Sequence, residues 1–392
     1  MIADAGSAPY TRRRAGSSDL AALVRRLDWV LMLAVVALVA YGLWAIAGIT
    51  RFDADNPDAF VIRQGIAAAI GGVGLVAAIL IPTSFYRTNW RVIYVAAIGL
   101  MLVTFVFAEA IRGSKRWIAV GPVQFQPSEF GKVAFVLAVA GFLVDRHRRL
   151  GELRTVLLAI GLGVVPMLLV FVQPDLGTAL VYAAALAAVL FVVGIRWLHV
   201  GLLLGAALTL ALLVLWFLPA AGIPVLKPYQ VERLTSFMHP DSDPSGDTYN
   251  VAQSITAIGA GGIDGRGVRD ASQTRFDYLP EHATDFVFAA FAEQRGFFGS
   301  TVLLLLYLLV VWRGLRVITV AGDLYSAVVA GGLTFAFLFQ VFVNAGMTMG
   351  VAPVTGIPLP FVTVGGSSMI SNLVAVGILQ SIHARGNIPA RR

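Results

Sequence analysis

Residues 28–49 read DWVLMLAVVALVAYGLWAIAGI, a single aspartate followed by 21 residues without a charge. A helix needs about 20 such residues to cross the hydrocarbon core of a bilayer. Comparable apolar runs recur along the chain, near 28–49, 61–82, 92–110, 131–145, 154–172, 176–195, 198–218, 286–312, 322–344 and 367–382. The pattern predicts an all-α integral membrane protein with about ten transmembrane helices. The run at 131–145 is the shortest, and it begins next to Lys132.

The composition agrees with a membrane location. Of the 392 residues, 58% are hydrophobic and only 13% are charged, whereas soluble domains carry about 25% charged residues. The chain has no cysteine, which excludes disulfides and thiolate chemistry. The net charge of +7 is explained by arginines that orient the helices, and no nucleic-acid partner is expected.

Basic residues between the apolar runs predict the orientation. Arginines precede the first run and follow the second, fourth, sixth, eighth and last runs, which ten spans place on one side. Cytoplasmic loops carry the excess of Lys and Arg, so both termini are expected in the cytoplasm. The predicted organisation is a basic N-terminal tail, 1–27, a membrane domain, 28–384, and a C-terminal tail, 385–392. Polar residues fill positions 1–19, so no cleavable signal peptide is predicted.

Two segments on the opposite side break this pattern. The loop at about 111–130 is basic, and the loop at 219–285, between helices 7 and 8, is by far the longest and is predicted to be extracellular. A loop of this length within a compact fold is usually functional or disordered. The apolar spacing in Tyr249–Ile258 favours function, because it predicts a short interfacial helix. The chemistry is therefore expected on the outer face.

The basic loop is a candidate anion site. Lys115 and Arg116 precede an interfacial Trp117, and Lys132 follows Glu129 one turn into an apolar run. Guanidinium and ammonium groups bind phosphate oxygens, arginine in a bidentate manner. The alternative is an ordinary helix start, with Glu129 favoured by the helix dipole and Trp117 in the aromatic belt. That alternative leaves Lys132 unexplained.

Two Pro- and Gly-containing motifs predict irregular backbone. Gln173–Thr178 is a tight connection in which Asp175 is expected to cap the next helix. Thr355–Phe361, followed by a Gly-Gly-Ser-Ser run that ends in Ser367 and Ser368, predicts irregular backbone at membrane depth. Such backbone is tolerated where it packs in protein or lines a wet cavity. A helix beginning near Ser367 would also direct free N–H groups at an anion, and both uses remain open.

The stretch LPEHATDFVF, residues 279–288, places Glu281 and Asp285 at the mouth of an apolar run. The simple interpretation makes Asp285 the N-cap or a first-turn residue of the next helix, and Glu281 its exposed neighbour. The functional interpretation makes Asp285 a general base, because carboxylates retained beside a bilayer usually serve a site. Mutual repulsion and burial raise a carboxylate pKa, whereas a helix N-terminus lowers it. Glu293 and Arg295, deeper in the run, indicate a wet or protein-lined cavity beneath Asp285.

Taken together and in this order, the motifs resemble the SEDS family of integral-membrane peptidoglycan polymerases, over about Asp28 to Gly377. The resemblance rests on Gly113–Ile118, Gln126–Lys132, Gln173–Thr178, Lys227–Gln230 with Arg233 and Phe237, Tyr249–Ser254, Leu279–Phe288 and Thr355–Ser368. The elongation branch, RodA, is resembled more than the division branch, FtsW. Two positions depart from the family pattern. Ala283 stands where the family has the histidine before Thr-Asp, with His282 one position earlier, and Thr363 replaces a serine.

The resemblance implies an inverting glycosyltransferase that polymerises lipid II on the outer leaflet of the bacterial cytoplasmic membrane during cell elongation. It implies Asp285 as the catalytic residue and a class B penicillin-binding protein as partner, besides lipid II and the membrane lipids. A divalent cation, Mg²⁺ or Mn²⁺, is expected between the substrate pyrophosphate and Asp277, Glu281 and Asp285. The alternative is that Asp277 and Glu281 only keep the loop soluble. The candidate substrate-binding residues are Lys115, Arg116, Trp117, Glu129, Lys132, Arg233, Gln253, Ser254, Glu281, Thr284, Ser367 and Ser368.

Three other functions compete with this interpretation. A lipid flippase or transporter also uses intramembrane charges and broken helices, but it needs a site reachable from both faces. Here the charged outliers gather on the outer side, and no inverted repeat is evident. A non-catalytic scaffold would leave Asp285 and Lys132 unexplained. An FtsW-like division polymerase would share the same chemistry.

Overall fold

The computed structural model describes residues 17–52, 57–107, 109–111, 114–120, 123–222 and 246–386. The described chain is almost entirely helical, which confirms the predicted all-α class. Its helices are α1 (Ser17–Arg25), α2 (Trp29–Ile49), α3 (Ala59–Leu80), α4 (Thr83–Thr88), α5 (Trp90–Phe107), α6 (Pro127–Asp145), α7 (Leu153–Val172), α8 (Leu176–Val193), α9 (Trp197–Leu212), α10 (Leu218–Ala220), α11 (Gly246–Gly261), α12 (Gly267–Asp270), α13 (Ser272–Arg275), α14 (Val287–Val320), α15 (Leu324–Thr348) and α16 (Gly366–Arg385). A π-helical turn, Leu213–Phe217, joins α9 to α10, and a 3₁₀ turn, His147–Arg149, follows α6.

Within this part of the chain, nine helices are long and apolar enough to cross a membrane. They are α2, α3, α5, α6, α7, α8, α9 with its continuation to Ala220, α14 and α15. The tenth predicted span, 367–382, is the 20-residue helix α16. This helix is more polar than the other spans, and its position allows this because its polar side chains are buried within the protein. They include Ser367, Ser368, Ser371, Asn372 and Gln380.

The short run at 131–145 is the centre of the bundle. Its helix, α6, begins four residues earlier than predicted, at Pro127, and is the most deeply buried of the spans. It contacts α5, α7, α8, α15 and α16. Because its neighbours are protein helices, it tolerates a charged pair that a lipid-facing helix would exclude. By contrast, α9 lies at the periphery and buries none of its apolar window within the protein.

The run at 286–312, predicted as one helix, is broken. Helix α14 extends to Val320, and Gly296 interrupts it with φ +63°. The peptide groups freed by the break bond to the loop before α12: Phe297 N–H donates to the Gly262 carbonyl at 2.9 Å, and Arg266 N–H donates to the Glu293 carbonyl at 2.9 Å. A Cβ on Gly296 would lie 2.3 Å from the Gly265 nitrogen, so only glycine fits this position.

The basic loop contains a small sheet that was not predicted. Strands β1 (Glu109–Ile111), β2 (Ser114–Val120) and β3 (Val123–Phe125) form an antiparallel sheet in that order. Ile118 pairs with Phe125, and Val120 pairs with Val123. The sheet leads directly into α6 and carries Arg116 and Trp117 in its central strand.

The predicted helix at Tyr249–Ile258 is confirmed as part of α11. Val251, Ser254 and Ala257, three residues apart, are fully buried, and the helix packs on α14 and α15. The helix is therefore part of the folded bundle. The preceding segment, 223–245, lies outside the described residues, and with it the candidate residue Arg233.

A buried ion pair joins the opposite ends of the chain. Arg313, counted in the sequence among the loop charges, lies inside α14 and is buried. Its Nη2 and Nε lie 2.6 and 2.7 Å from Asp28 Oδ2. The other Asp28 oxygen accepts the Leu31 N–H at the start of α2, and Gln380 of α16 exchanges two hydrogen bonds with the Asp28 backbone. This network connects α2, α14 and α16.

Candidate active site

The turn that precedes α14 carries Asp285. Thr284 N–H and Phe286 N–H both donate to the Glu281 carbonyl at 3.1 Å, and Glu281 itself has φ +55°. The N-cap of α14 is Phe286. The simple interpretation of Asp285 as the helix N-cap is therefore wrong: the residue belongs to a tight turn held against the protein.

The irregular segment 355–365 lies against this turn, which confirms the prediction of non-helical backbone there. Val364 N–H donates to the Ala283 carbonyl at 3.2 Å. The Thr363 hydroxyl donates to the Thr284 carbonyl at 3.1 Å and accepts the Leu359 N–H at 2.8 Å. A serine hydroxyl can make the same two bonds, so the replacement of the family serine by Thr363 keeps the function of this side chain.

Asn344 of α15, which bridges this turn and the segment 355–365, was not recognised from the sequence. Its Nδ2 donates to the Asp285 carbonyl at 3.2 Å and to the Ile357 carbonyl at 2.8 Å. The side chain is completely buried, and its Oδ1 has no hydrogen-bond partner among the described residues. The sequence did contain a signal for this role, because a carboxamide inside an apolar membrane run usually has a partner in the protein interior.

Glycine borders the Asp285 carboxylate. A Cβ on Gly356 would lie 3.4 Å from Asp285 Oδ2, and Gly356 has φ +67°. Asp285 is half-buried, with its backbone anchored by Asn344. On the far side of the segment, Gln64 of α3 donates to the Thr363 carbonyl and accepts the Gly365 N–H, at 2.9 and 3.1 Å. Packed polar groups thus position a residue that is partly exposed.

Two ion pairs lie in the part of the predicted anion site that the structure describes. The first joins Arg116 of β2 to Asp175, with Nη1 3.4 Å from Oδ2. Asp175 caps α8, as predicted, by accepting the Thr178 N–H at 3.0 Å, and it also accepts from Gln126 Nε2 at 3.0 Å. Arg116 is 25% exposed, and its Cζ lies 5.6 Å from the centre of the Trp117 ring. One edge of the guanidinium is thus neutralised while the side chain remains accessible.

The second pair lies deeper, in the first turn of α6. Lys132 Nζ is 2.9 Å from Glu129 Oε2, and both side chains are buried. The ammonium is poorly aligned for a hydrogen bond despite this short distance, so the contact is chiefly electrostatic. Ser371 of α16 also donates to Glu129 Oε2, at 3.3 Å. The cation expected to be available to a phosphate therefore has a carboxylate partner already.

Packing brings these motifs together. A Cβ on Gly177 would lie 2.4 Å from the Thr355 carbonyl oxygen, so the Asp175 turn touches the segment beside Asp285. The Ser367 hydroxyl accepts the Gln126 N–H at 2.8 Å and donates to the Gln124 carbonyl at 3.1 Å. The sheet, the 173–178 turn, the start of α16 and the segment 355–365 consequently form one cluster.

Other predicted residues have structural partners or lie apart. Ser254 donates to the Thr348 carbonyl at 2.7 Å and fastens α11 to α15, with Gln253 half-buried beside it. The Ser368 hydroxyl accepts from Asn372 Nδ2 at 3.2 Å within α16. Lys115 lies in β2.

The three predicted metal ligands are not gathered into one cage. Asp277 is 77% exposed, and its Oδ1 lies 3.3 Å from His282 Nδ1. Glu281 Oε2 accepts the Thr284 hydroxyl at 2.7 Å. Among the described residues, no group of three or more His, Cys, Asp or Glu side chains is placed to hold a metal ion. Mg²⁺ is often bound by one or two carboxylates together with substrate phosphates, and this is the mode that these residues fit.

The two charges inside α14 are accommodated by protein. Glu293 is fully buried and accepts the Gln273 and Thr274 N–H groups, at 2.8 and 3.0 Å, and the Thr274 hydroxyl at 2.7 Å. The Arg295 guanidinium lies 3.7 Å above the Trp44 ring. These charges stabilise the short helix α13 and the C-terminal end of α2.

The sequence matches the family model described as FTSW_RODA_SPOVE, cell cycle protein, over residues 25–387. It is 37% identical over 358 residues to the peptidoglycan glycosyltransferase MrdB of Escherichia coli K12, covering 91% of this chain and 93% of that protein. It is 34% identical over 356 residues to the stage V sporulation protein E of Bacillus subtilis 168, covering 90% and 94%.

Solved structures show the same fold. A chain from a structure described as the structural coordination of polymerization and crosslinking by a peptidoglycan synthase complex has a TM-score of 0.76 and 30% identity, covering 91% of this chain and 97% of that one. The crystal structure of the rod shape determining protein RodA of Thermus thermophilus has a TM-score of 0.65 and 27% identity, covering 91% and 96%. The similarity therefore extends over nearly the whole chain.

Proposed function

The chain belongs to the FtsW, RodA and SpoVE family of peptidoglycan glycosyltransferases, and from this premise we propose that it polymerises lipid II with Asp285 as general base. The family predicted from the sequence is thereby confirmed. The proposed reaction takes place at the outer face of the cytoplasmic membrane during cell elongation.

One observation carries the assignment of Asp285. Its backbone is tied to Asn344, its carboxylate borders Gly356, and the residue is partly exposed. A general base must be held rigidly and must still reach the proton that it removes. Gly356 places no side chain against the carboxylate.

The chemistry requires one carboxylate. A sugar hydroxyl of the acceptor attacks the anomeric carbon of the donor, and Asp285 accepts the proton that this hydroxyl loses. The new C–O bond forms as the bond to the pyrophosphate breaks, so an α-linked donor becomes a β-linked product in a single displacement. No covalent glycosyl intermediate is needed, and hence no second, nucleophilic carboxylate.

The leaving pyrophosphate needs its charge neutralised. Arg116 and Lys132 supply positive charge within the same cluster, although Asp175 and Glu129 already offset part of it. Arg116 is the better candidate for direct contact because it is accessible, whereas Lys132 is buried with its partner. The proposed role of Lys132 is to hold the start of α6 and the local charge balance.

A divalent cation, Mg²⁺ or Mn²⁺, is proposed to share the pyrophosphate with the acidic turn. Asp285 and Glu281 lie on that turn, and Asp277 stands beside it on the surface. Such an ion would supply electrostatic stabilisation of the leaving group. The chain itself would contribute only one or two carboxylate ligands.

The partner and the orientation follow from the same premise. The related complex is described as coordinating polymerisation with crosslinking, which supports a class B penicillin-binding protein as the partner here. The chain is a multi-pass membrane protein. The arginine-rich loops support the placement of both termini in the cytoplasm, with the acidic turn and the sheet outside.

The test is polymerisation of labelled lipid II by purified protein reconstituted with its partner. Asp285→Asn keeps the shape of the side chain but cannot take up the proton, so the rate should fall about 10²–10⁴-fold, with folding and lipid II binding nearly unchanged. Near-normal glycan synthesis by well-folded Asp285→Asn would exclude this residue as the base. Translocation of lipid II without polymer would instead identify a flippase.

A further inference from the structure

An open cavity lies at the end of the bundle opposite the acidic turn. It encloses about 410 Å³ where the short helix α4 meets the start of α5 and the end of α6. The six residues that line it are Ser84, Arg87, Thr88, Trp90, Arg91 and Asp145. None of them takes part in the chemistry proposed for Asp285.

The lining carries charges of both signs. Arg87 near the end of α4 and Arg91 in the first turn of α5 are four residues apart and exposed. Asp145, the last residue of α6, accepts a hydrogen bond from Trp90 Nε1 at 2.9 Å. Because the Trp90 side chain is itself buried, this bond fixes the carboxylate at the cavity wall.

This combination matches a zwitterion better than a simple anion. Two guanidinium groups and the hydroxyls of Ser84 and Thr88 are donors suited to phosphate oxygens. A fixed carboxylate in the same cavity repels a purely anionic ligand and attracts an ammonium group. A ligand with a phosphate and an ammonium a few ångströms apart satisfies both parts of the lining.

The position of the cavity indicates that the ligand also has an apolar part. Helix α5 enters the bilayer from Trp90, and Val95 lies one turn deeper than Arg91 on the same helix face. The side chains of Val95 and of Val92 are 68% and 67% exposed. An apolar surface therefore continues from the charged cavity along the helix into the membrane, as an acyl chain requires.

We propose that this cavity binds the phosphoethanolamine headgroup of a bilayer phospholipid. The phosphate lies between Arg87 and Arg91, the ammonium faces Asp145, and an acyl chain follows Val95 along α5. The site is independent of the polymerase reaction, so it stands or falls separately from the role of Asp285.

The test measures lipid binding to the full-length purified protein by native mass spectrometry, with dioleoyl phosphatidylethanolamine and dioleoyl phosphatidylglycerol titrated separately. Arg87→Gln with Arg91→Gln should weaken phosphatidylethanolamine binding roughly threefold to tenfold, as expected for charge-assisted contacts at an accessible site. The matched control is Arg148→Gln with Arg149→Gln, two exposed arginines just beyond α6 that do not line the cavity. Equal losses in the two double variants would overturn the proposal.

Asp145→Asn identifies the headgroup. The amide oxygen still accepts from Trp90 Nε1, so the cavity keeps its shape, but the attraction for ammonium is gone. Binding of phosphatidylethanolamine should weaken while binding of phosphatidylglycerol stays the same or strengthens. If both lipids respond alike, or neither responds, Asp145 does not face an ammonium group and the ethanolamine assignment is wrong.

Discussion

Asp285 illustrates how a single residue is made available for chemistry. Hydrogen bonds to its turn come from backbone and side-chain groups of distant segments, among them Asn344 and Thr363. A buried carboxamide whose Oδ1 lacks a partner carries a desolvation cost. We therefore expect the burial of Asn344 itself to add little stability, and its role to be the positioning of the Asp285 turn. Its two donor bonds fix the Asp285 backbone relative to Ile357.

We therefore expect Asn344→Ala to lower kcat roughly 10- to 100-fold, because small misplacements of a catalytic group have effects of that size. KM for lipid II should change little, since the proposed pyrophosphate contacts lie elsewhere. Steady-state polymerisation kinetics measure this division. Tyr325→Phe, which removes one buried hydrogen bond to the Leu137 carbonyl, is the control for general loss of stability. A similar kcat defect in both variants would refute a positioning role.

Arg116 provides a second prediction at this scale. Arg116→Ala should raise KM for lipid II clearly and lower the melting temperature only slightly. The guanidinium is partly exposed, and Asp175 keeps its other partners in this variant. Arg116→Lys should restore binding only in part, since a bidentate fork becomes a point charge. Arg269→Ala, at an exposed position in the separate segment 219–285, is the charge-matched control. Unchanged KM in Arg116→Ala would leave this arginine a structural role.

At the scale of elements, periodicity predicted the helices well and their interruptions poorly. The membrane runs and α11 follow from apolar spacing alone. The break at Gly296 depends on the loop 262–266, whose backbone groups replace the lost helical bonds. One glycine in an apolar run does not reveal such a partner. The sheet around Arg116 was missed for a related reason, because strands this short are stabilised by pairing rather than by sequence pattern.

The same distinction explains which parts of the candidate site were predicted. Local motifs identified Asp285, the cap at Asp175 and the irregular segment 355–365. Two contacts of the site were not predicted, and each joins residues 59 positions apart in the sequence: Arg116 with Asp175, and Asn344 with Asp285. Contacts of that kind arise from helix packing, which a single sequence does not display. Arg313 was misassigned to a loop because its buried partner, Asp28, lies 285 positions away.

The Asp28–Arg313 pair predicts a strong effect on stability. Arg313→Met leaves a buried carboxylate without its cation, which typically costs about 3–5 kcal/mol. Asp28→Asn together with Arg313→Met should recover part of the loss, because no unpaired charge remains. Thermal unfolding of the purified variants measures the cycle, with Arg316→Met as the exposed control on the same helix. Equal melting temperatures for Arg313→Met and the control would show that the pair contributes little.

The whole molecule separates two kinds of charge. The buried ion pairs Asp28–Arg313, which joins the start of α2 to α14, and Glu129–Lys132, within the first turn of α6, carry no net charge. Among the residues whose side chains the structure describes, Arg116 is a cation near the site that is partly exposed. A pyrophosphate leaving group carries several negative charges, and one guanidinium neutralises only part of them. A divalent cation would neutralise more of that charge.

We therefore expect polymerisation to depend on Mg²⁺ or Mn²⁺ shared between pyrophosphate and the carboxylates of Asp285 and Glu281. Because the described chain offers no complete ligand cage, the ion should bind the free protein weakly and the lipid II complex more tightly. The measurement is polymerisation by protein and partner after chelation, with each metal added back, alongside isothermal titration of metal with and without lipid II. Glu281→Gln should raise the metal concentration needed for half-maximal rate, whereas Asp277→Asn, at an exposed position, should raise it less. Full activity in excess chelator would rule out the metal and leave neutralisation of the leaving group to Arg116 and the other cations of the cluster.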